Sequence, residues 1–358
     1  MEFLLQPEIC KTSSGPTLMS LLEKIWIKDL KSKRLMGKGT FYILSGFSNF
    51  NGGVRFYNCI EKHIADGGRC EVILGGSTSQ NMSSQQVVKK LLEIGCKVGV
   101  VNRKAIFHAK CYGYQTDGYK TLIVSSGNFT SRGLTQNIEA SLLLENEDFN
   151  MDFDWNHVMN QIRKQKIDYY EASLNEQNLV WKLLYDEFRG KTIEDKQSLF
   201  QTLIMTLSHI DVARIQAEPK TNASKGTQYF WLSKDSFDFF PPLDLKNERG
   251  TKNAYQTLVS MKYVDLDVID TVRVTFEADN NLDFRLGTSR LKNTRIADEG
   301  DMVAITRTGF DTYEMRIFKK DSYGYDRLIS YATTYIGHKG KRYGYISNRK
   351  FFRLFIFK

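Results

Sequence analysis

Between Ala105 and Tyr112 the chain reads Ala-Ile-Phe-His-Ala-Lys-Cys-Tyr, and this alternation constrains everything around it. Successive side chains of a strand point to opposite faces, so the spacing predicts a strand that carries His108 and Lys110 side by side. After a turn-rich spacer, a second apolar run, Thr121 to Ser126, ends in Gly127-Asn128. A third, Glu139 to Leu144, opens with a carboxylate eleven positions past that asparagine. Three consecutive strands then deliver His108, Lys110, Asn128 and Glu139 to one edge. An imidazole beside a fixed cation and a neutral amide donor is the outline of a phosphate site.

The flanking sequence fits a layered domain. Residues 17–30 have apolar positions at helical spacing, and Thr40–Ser45, Cys70–Leu74 and Val98–Val101 read as buried strands. Between them lie two helical patterns, Val54–Ala65 and a stretch from a Ser83 or Ser84 cap to Glu93, stopped by Gly95. This order predicts an α/β domain over residues 1–168 with parallel pairs, finished by antiparallel hairpins around His108. From Trp155 to Phe188 the pattern turns helical and polar, so residues 169–198 are expected to form a helical linker. Short strand-like runs follow: Thr227–Leu232, Thr271–Phe276, Asp301–Ile305, Tyr313–Phe318 and Phe351–Phe357. They predict an all-β barrel over 199–358.

Composition narrows the class further. No apolar stretch approaches the roughly 20 residues of a membrane helix, and the N-terminus lacks a secretory layout, so an intracellular protein is expected. Cys10, Cys59, Cys70, Cys96 and Cys111 stand singly, without metal-site spacing. Of the net charge of +9, the first 200 residues carry +3 and the remainder +6, which points the second half toward a polyanion.

The ordered His-x-Lys, the Gly/Ser-rich turn ending in Asn128 and the downstream Glu139 resemble the phospholipase D superfamily. That family often places an Asp five residues after the Lys, where this chain has Gln115, with Asp117 nearby. Ile43–Asn49, Ile73–Gln80, Ser125–Thr130 and Gly226–Ser236 are similar to the family of Type IIS restriction endonucleases that contains BfiI and BmrI, a likeness spanning essentially the whole chain. The resemblance implies a phospholipase D-like nuclease domain and a C-terminal pseudobarrel of the plant B-three type. It further implies double-stranded DNA as substrate, ACTGGG as target, cleavage outside that target, no cofactor and a bacterial cytoplasmic setting.

Phosphodiester hydrolysis needs a nucleophile, stabilisation of the non-bridging oxygens and a proton for the departing oxygen. His108 is the expected nucleophile, giving a phosphohistidine. Lys110 and Asn128 would hold the phosphoryl oxygens, Ser126 would add a hydrogen bond, and Glu139 would orient the second ring nitrogen of His108. A second histidine must supply the proton, yet His63, His157, His209 and His338 stand in no further His-x-Lys. A homodimer with one composite site is therefore expected. For target reading the candidates are Arg214, Arg249, Lys252, Arg273, Asn280, Asn281, Arg285, Lys339, Lys341 and Arg342, since Arg and Asn read base edges and loop lysines hold phosphate. No metal site is expected. Two other readings share these residues: a phosphodiesterase acting on lipid or nonspecific nucleic acid, and a DNA-binding regulator with an idle nuclease fold.

Overall fold

A computed structural model describes residues 1–6, 15–103, 105–149, 152–164, 168–188, 201–246, 254–278, 283–336 and 341–356. The chain divides into two compact units, at Phe188 and Arg189.

The first unit is built on a sheet of eight strands: β1 (Glu2–Gln6), β2 (Thr40–Ser45), β3 (Arg69–Gly75), β4 (Lys97–Val101), β5 (Lys110–Gln115), β6 (Lys120–Ser125), β7 (Glu139–Glu145) and β8 (Tyr169–Glu171). Their spatial order is β1-β7-β6-β5-β2-β3-β4-β8, with β2, β3 and β4 parallel and the remaining pairs antiparallel. Every residue of β2 is buried, as a central strand covered on both faces requires. On one face Trp155 and Met159, from the helix Trp155–Arg163, cover Tyr42, Leu44, Ile73 and Val101. The Trp155 and Tyr42 rings stack with centroids 4.9 Å apart. On β6, β7 and β1 the sheet leaves Val124, Phe3 and Leu5 exposed, cross-strand neighbours of Leu142 and Ala140.

Residues 168–188 correct the expected helical linker. They pair β8 onto β4 and continue into a short 3-10 turn, Leu179–Leu183. Asp186 and Glu187 then bond the first unit: Glu187 accepts from the backbone N–H of Phe50 and from Ser84, and Asp186 accepts from Gln86. These carboxylates serve helix starts, where backbone donors are unfilled.

The second unit is all-β around β9 (Gln201–Thr206), β10 (Tyr229–Trp231), β11 (Leu245–Lys246), β12 (Ala254–Tyr263), β13 (Val268–Glu277), β14 (Asp283–Gly287), β15 (Met302–Arg307), β16 (Thr312–Phe318), β17 (Thr334–Ile336) and β18 (Lys341–Ser347). The path runs β10-β14-β13-β12-β16-β15-β9-β18-β17, with β11 beside β12. Side chains also join β10, at one end of this path, to β18, the last strand but one at the other. Lys341 of β18 donates to the carbonyl of Trp231 in β10 at 2.6 Å and to both carboxylate oxygens of Asp211 at 2.9 and 2.8 Å, while Asp211 accepts from the Trp231 N–H at 3.0 Å. These bonds bridge the flanks of a curled all-β sheet. The run expected as a strand at Phe351–Phe357 instead belongs to the helix Asn348–Ile356. Phe351 is buried, and Phe318 and Phe355 pack against it. Positions 351 and 355 are one helical turn apart, so the aromatic run follows the helical period.

Candidate active site and nucleic-acid interface

The site forms where β2, β5, β6 and β7 end together. Lys110 is the first residue of β5, and His108 lies in the segment just before it, so the strand starts five residues after Ala105, where its alternation begins. Lys110 is 7% exposed, and its ammonium donates to the carbonyl of His108 at 2.8 Å. Burial lowers the Lys110 pKa, and the nearby Glu139 charge opposes that shift. His108 itself is exposed. Its ring meets the edge of Phe47 at 6.2 Å and has no hydrogen bond among the described residues.

Asn128 enters from the turn after β6. That turn is pinned by the Tyr112 hydroxyl on the carbonyl of Gly127 at 2.8 Å and by the Gly127 N–H on Ser125 at 2.9 Å. The Asn128 carbonyl oxygen accepts from the Phe47 N–H at 3.1 Å. With its oxygen so engaged, the amide has its NH2 left as a donor. Gly46 permits the close approach of β2 to the His108 segment, for a Cβ there would lie 2.7 Å from the carbonyl of Phe107 and 3.2 Å from Cα of His108. The Gly46 N–H donates to the carbonyl of Ala109 at 2.8 Å.

Glu139 departs from expectation. It accepts from the Ser126 hydroxyl and, at 3.1 Å, from the Asn137 amide, and it does not bond the ring of His108. Ser126 is thereby turned toward Glu139, and it also accepts from the Ala140 N–H at 3.0 Å. Sequence reasoning missed Asn137, Gly46 and Phe47, because their roles are main-chain contacts or bonds to a carboxylate across a strand pair. Gln115 occupies the position where an Asp was expected. It donates to Asp154 at 2.5 Å and accepts from the Trp155 N–H at 2.9 Å, so one amide fastens the start of the helix Trp155–Arg163 to β5. A carboxylate could not make both bonds.

In the second unit, Arg214, Arg273 and Arg285 line one cleft of about 610 Å³ over β12, β13 and β14. Arg273 is exposed beside Leu258, its partner in the β12–β13 register. Arg285 is engaged, with Glu277 at 2.5 Å and Asp283 at 3.5 Å, and its guanidinium lies over Tyr229 and Trp231. Trp231 is half-buried beneath that cation. Arg214 is on the helix His209–Gln216 and donates to the carbonyl of Lys225 at 2.8 Å. Arg342 is half-buried, with its guanidinium over the Tyr335 ring. Lys341, expected to meet phosphate, is buried against the fully buried Asp211 and is unavailable to a polyanion. Burial lowers its pKa, against the pull of Asp211. Arg249, Lys252, Asn280, Asn281 and Lys339 lie outside the described residues.

Comparison with known proteins gives one match for each unit. Residues 40–159 match the PLD-like domain family described as cardiolipin synthase, PLD-like domain. Residues 195–356 match the family described as metal-independent restriction enzyme BfiI DNA binding domain. Similar solved structures include Nuc from Salmonella typhimurium, a phospholipase D family member, at 13% identity over 48% of this chain and 96% of that one, with a TM-score of 0.32. NucT from Helicobacter pylori is similar at 15% identity over 46% and 93%, with a TM-score of 0.29. The N-terminal domain of Helicobacter pylori LlaJI.R1 is similar at 13% over 40% and 96%, with a TM-score of 0.24. No curated protein sequence matches the chain. The two family matches fall on the two compact units: a phospholipase D-like domain in the first and a domain similar to the BfiI DNA-binding domain in the second.

Proposed function

We propose that this chain is a metal-independent Type IIS restriction endonuclease that cuts DNA through a phosphohistidine intermediate. The observation that carries the reading is the junction at the sheet edge, where the buried Lys110 donates to the carbonyl of the exposed His108 and the Asn128 side chain accepts from the neighbouring Phe47 N–H. A neutral ring nitrogen of His108 attacks phosphorus, forming the N–P bond as the bond to the departing nucleoside oxygen breaks. Lys110 and Asn128 stabilise the charge on the non-bridging oxygens. Water then displaces the histidine and releases the phosphate end. The proton taken by the departing oxygen comes from a second His108, supplied by another copy of the chain in a homodimer with one composite site. The exposed Phe3, Leu5, Val124 and Ile138 on β1, β6 and the start of β7 support that assembly, since apolar surface of this kind favours a protein partner.

Target reading falls to the second unit, with Arg273 as its most accessible described candidate and ACTGGG as the expected target. A reading domain separate from a cutting domain places the cut outside the target. Among the described residues no helix is long and apolar enough to cross a membrane, and an enzyme of this kind acts on DNA in the bacterial cytoplasm.

The test is plasmid cleavage in excess EDTA by the wild type and by His108→Ala. Discrete fragments from the wild type alone, with ends mapped to a fixed offset from ACTGGG, are expected. Loss of cutting in EDTA, or cutting by His108→Ala, overturns the mechanism.

A further inference from the structure

A second cavity of about 470 Å³ adjoins the His108 segment, within the size range of ligand sites. His108 itself forms part of its lining. Ile106, Phe107 and Ile162 give it an apolar wall, and Arg103, Gln161 and Asp168 give it a polar rim. Two features set it apart from a packing gap. Ile106 is 40% exposed at its mouth, so the wall is open to solvent. Arg103 is exposed, 3.6 Å from Asp168, its one charged partner among the described residues. An ion pair at that distance and exposure is weak, because water screens it. Arg103 is therefore free to trade a loose carboxylate contact for a stronger, charge-assisted bond to phosphate.

We infer that this cavity seats the nucleotide adjoining the scissile phosphate, with Arg103 on the next phosphate along the strand and the apolar wall against the sugar and base. The inference rests on the nuclease reading above and deepens it. A polymeric diester bound by His108 at one phosphate must carry its neighbouring nucleotide past the walls of the same cavity. The chemistry of those walls matches the parts of a nucleotide: an anion at the rim and a flat, weakly polar body at the wall. Gln161 is held at the rim by His157, at 2.8 Å, and gives the base edge a donor or acceptor. Arg103 acts here as a positioning residue: it fixes the strand so that the scissile phosphorus stays in line with His108, and it takes no part in bond breaking.

The experiment is a double-mutant cycle on single-turnover cleavage of target duplexes by the full chain in EDTA. One strand carries a single neutral methylphosphonate, moved one position at a time around the mapped cut. At one position adjoining the cut, the substitution should slow the wild type about tenfold or more. Arg103→Gln should lose a similar factor on the unmodified duplex and no further factor on that methylphosphonate. Asp168→Asn, which frees Arg103 from its carboxylate, should retain the methylphosphonate penalty in full. Penalties that multiply in Arg103→Gln, or a wild-type rate for Arg103→Gln on unmodified DNA, overturn the assignment. Failure of the wild type to cut in EDTA instead removes the nuclease reading on which it stands, so the two failures are distinguishable.

Discussion

Replacing Lys341 with Met separates two roles that look alike in sequence. A lysine in a basic loop suggests a phosphate contact. In the structure it is the cation of a buried pair whose carboxylate, Asp211, is 0% exposed. Its three bonds, two to Asp211 and one to the Trp231 carbonyl, use all three ammonium hydrogens. Met fills a similar volume but leaves Asp211 charged in the interior, with the Trp231 N–H, the Ser208 N–H and the Ser208 hydroxyl as its remaining donors. Breaking a buried pair in this way costs about 3–5 kcal/mol. At roughly 2–4 °C per kcal/mol for a domain of this size, the Tm of the second unit should fall by about 6–20 °C. Calorimetry of the full chain is the assay, with the transition of the first unit as internal reference. Adding Asp211→Asn to Lys341→Met should return part of the loss, because the stranded charge is removed. A lysine on phosphate would behave in the opposite way: unchanged Tm and a DNA-binding salt slope lower by about one unit. A Tm shift under 2 °C together with that slope change would refute the buried-pair argument.

Two further outcomes follow from the first unit. His63 is buried on Phe41, accepts from the Gly37 N–H at 3.1 Å and bonds the carbonyl of Gly39 at 3.3 Å. Desolvation lowers its pKa below the ordinary 6.5, so the unfolded chain takes up the proton first as pH falls. Stability contributed by the neutral ring is complete above 6.5, declines as pH drops through 6.5 and levels off below the folded pKa. Urea melts of the wild type should show this slope, and an unchanged slope in His63→Gln would sink the assignment. Gly46→Ala should slow cleavage about 100-fold with DNA affinity unchanged, because its Cβ meets the Phe107 carbonyl and displaces His108. A rate within twofold of wild type would show that the approach is not required.

Where sequence and structure agree, one periodicity governed both. β2, β3 and β4 are near-continuous apolar runs because parallel strands at the centre of a sheet are buried on both faces. Asn128 and Glu139 lie at strand ends because Gly127 and the break before β7 mark those ends in the sequence. The partners of Glu139 were hidden, since whether it bonds His108 or Ser126 depends on how far apart strand ends splay. Residues 168–188 misled through composition: polar residues at helical spacing also suit an edge strand and a capping strap. At Phe351–Phe357 a run of aromatics satisfied strand preference, while the tertiary contact with Phe318 selected the helix. Lys341 was misread because nothing near it in sequence reveals Asp211, its partner 130 residues earlier.

The pair that closes the second sheet is also a seam. Strands elsewhere on the path are joined by ladders of backbone bonds, each of which can weaken while its neighbours hold. At the seam, the Lys341 ammonium joins β18 to the Trp231 carbonyl of β10 and to Asp211, so loss of that one ammonium removes all three bonds at once. An opened seam would leave the rest of the ladder intact and bare the flank of β10 not paired with β14, an edge able to recruit another chain. Insolubility is therefore the cellular trait most directly exposed to sequence drift at Asp211 or Lys341, and it would emerge before any change in which DNA is read.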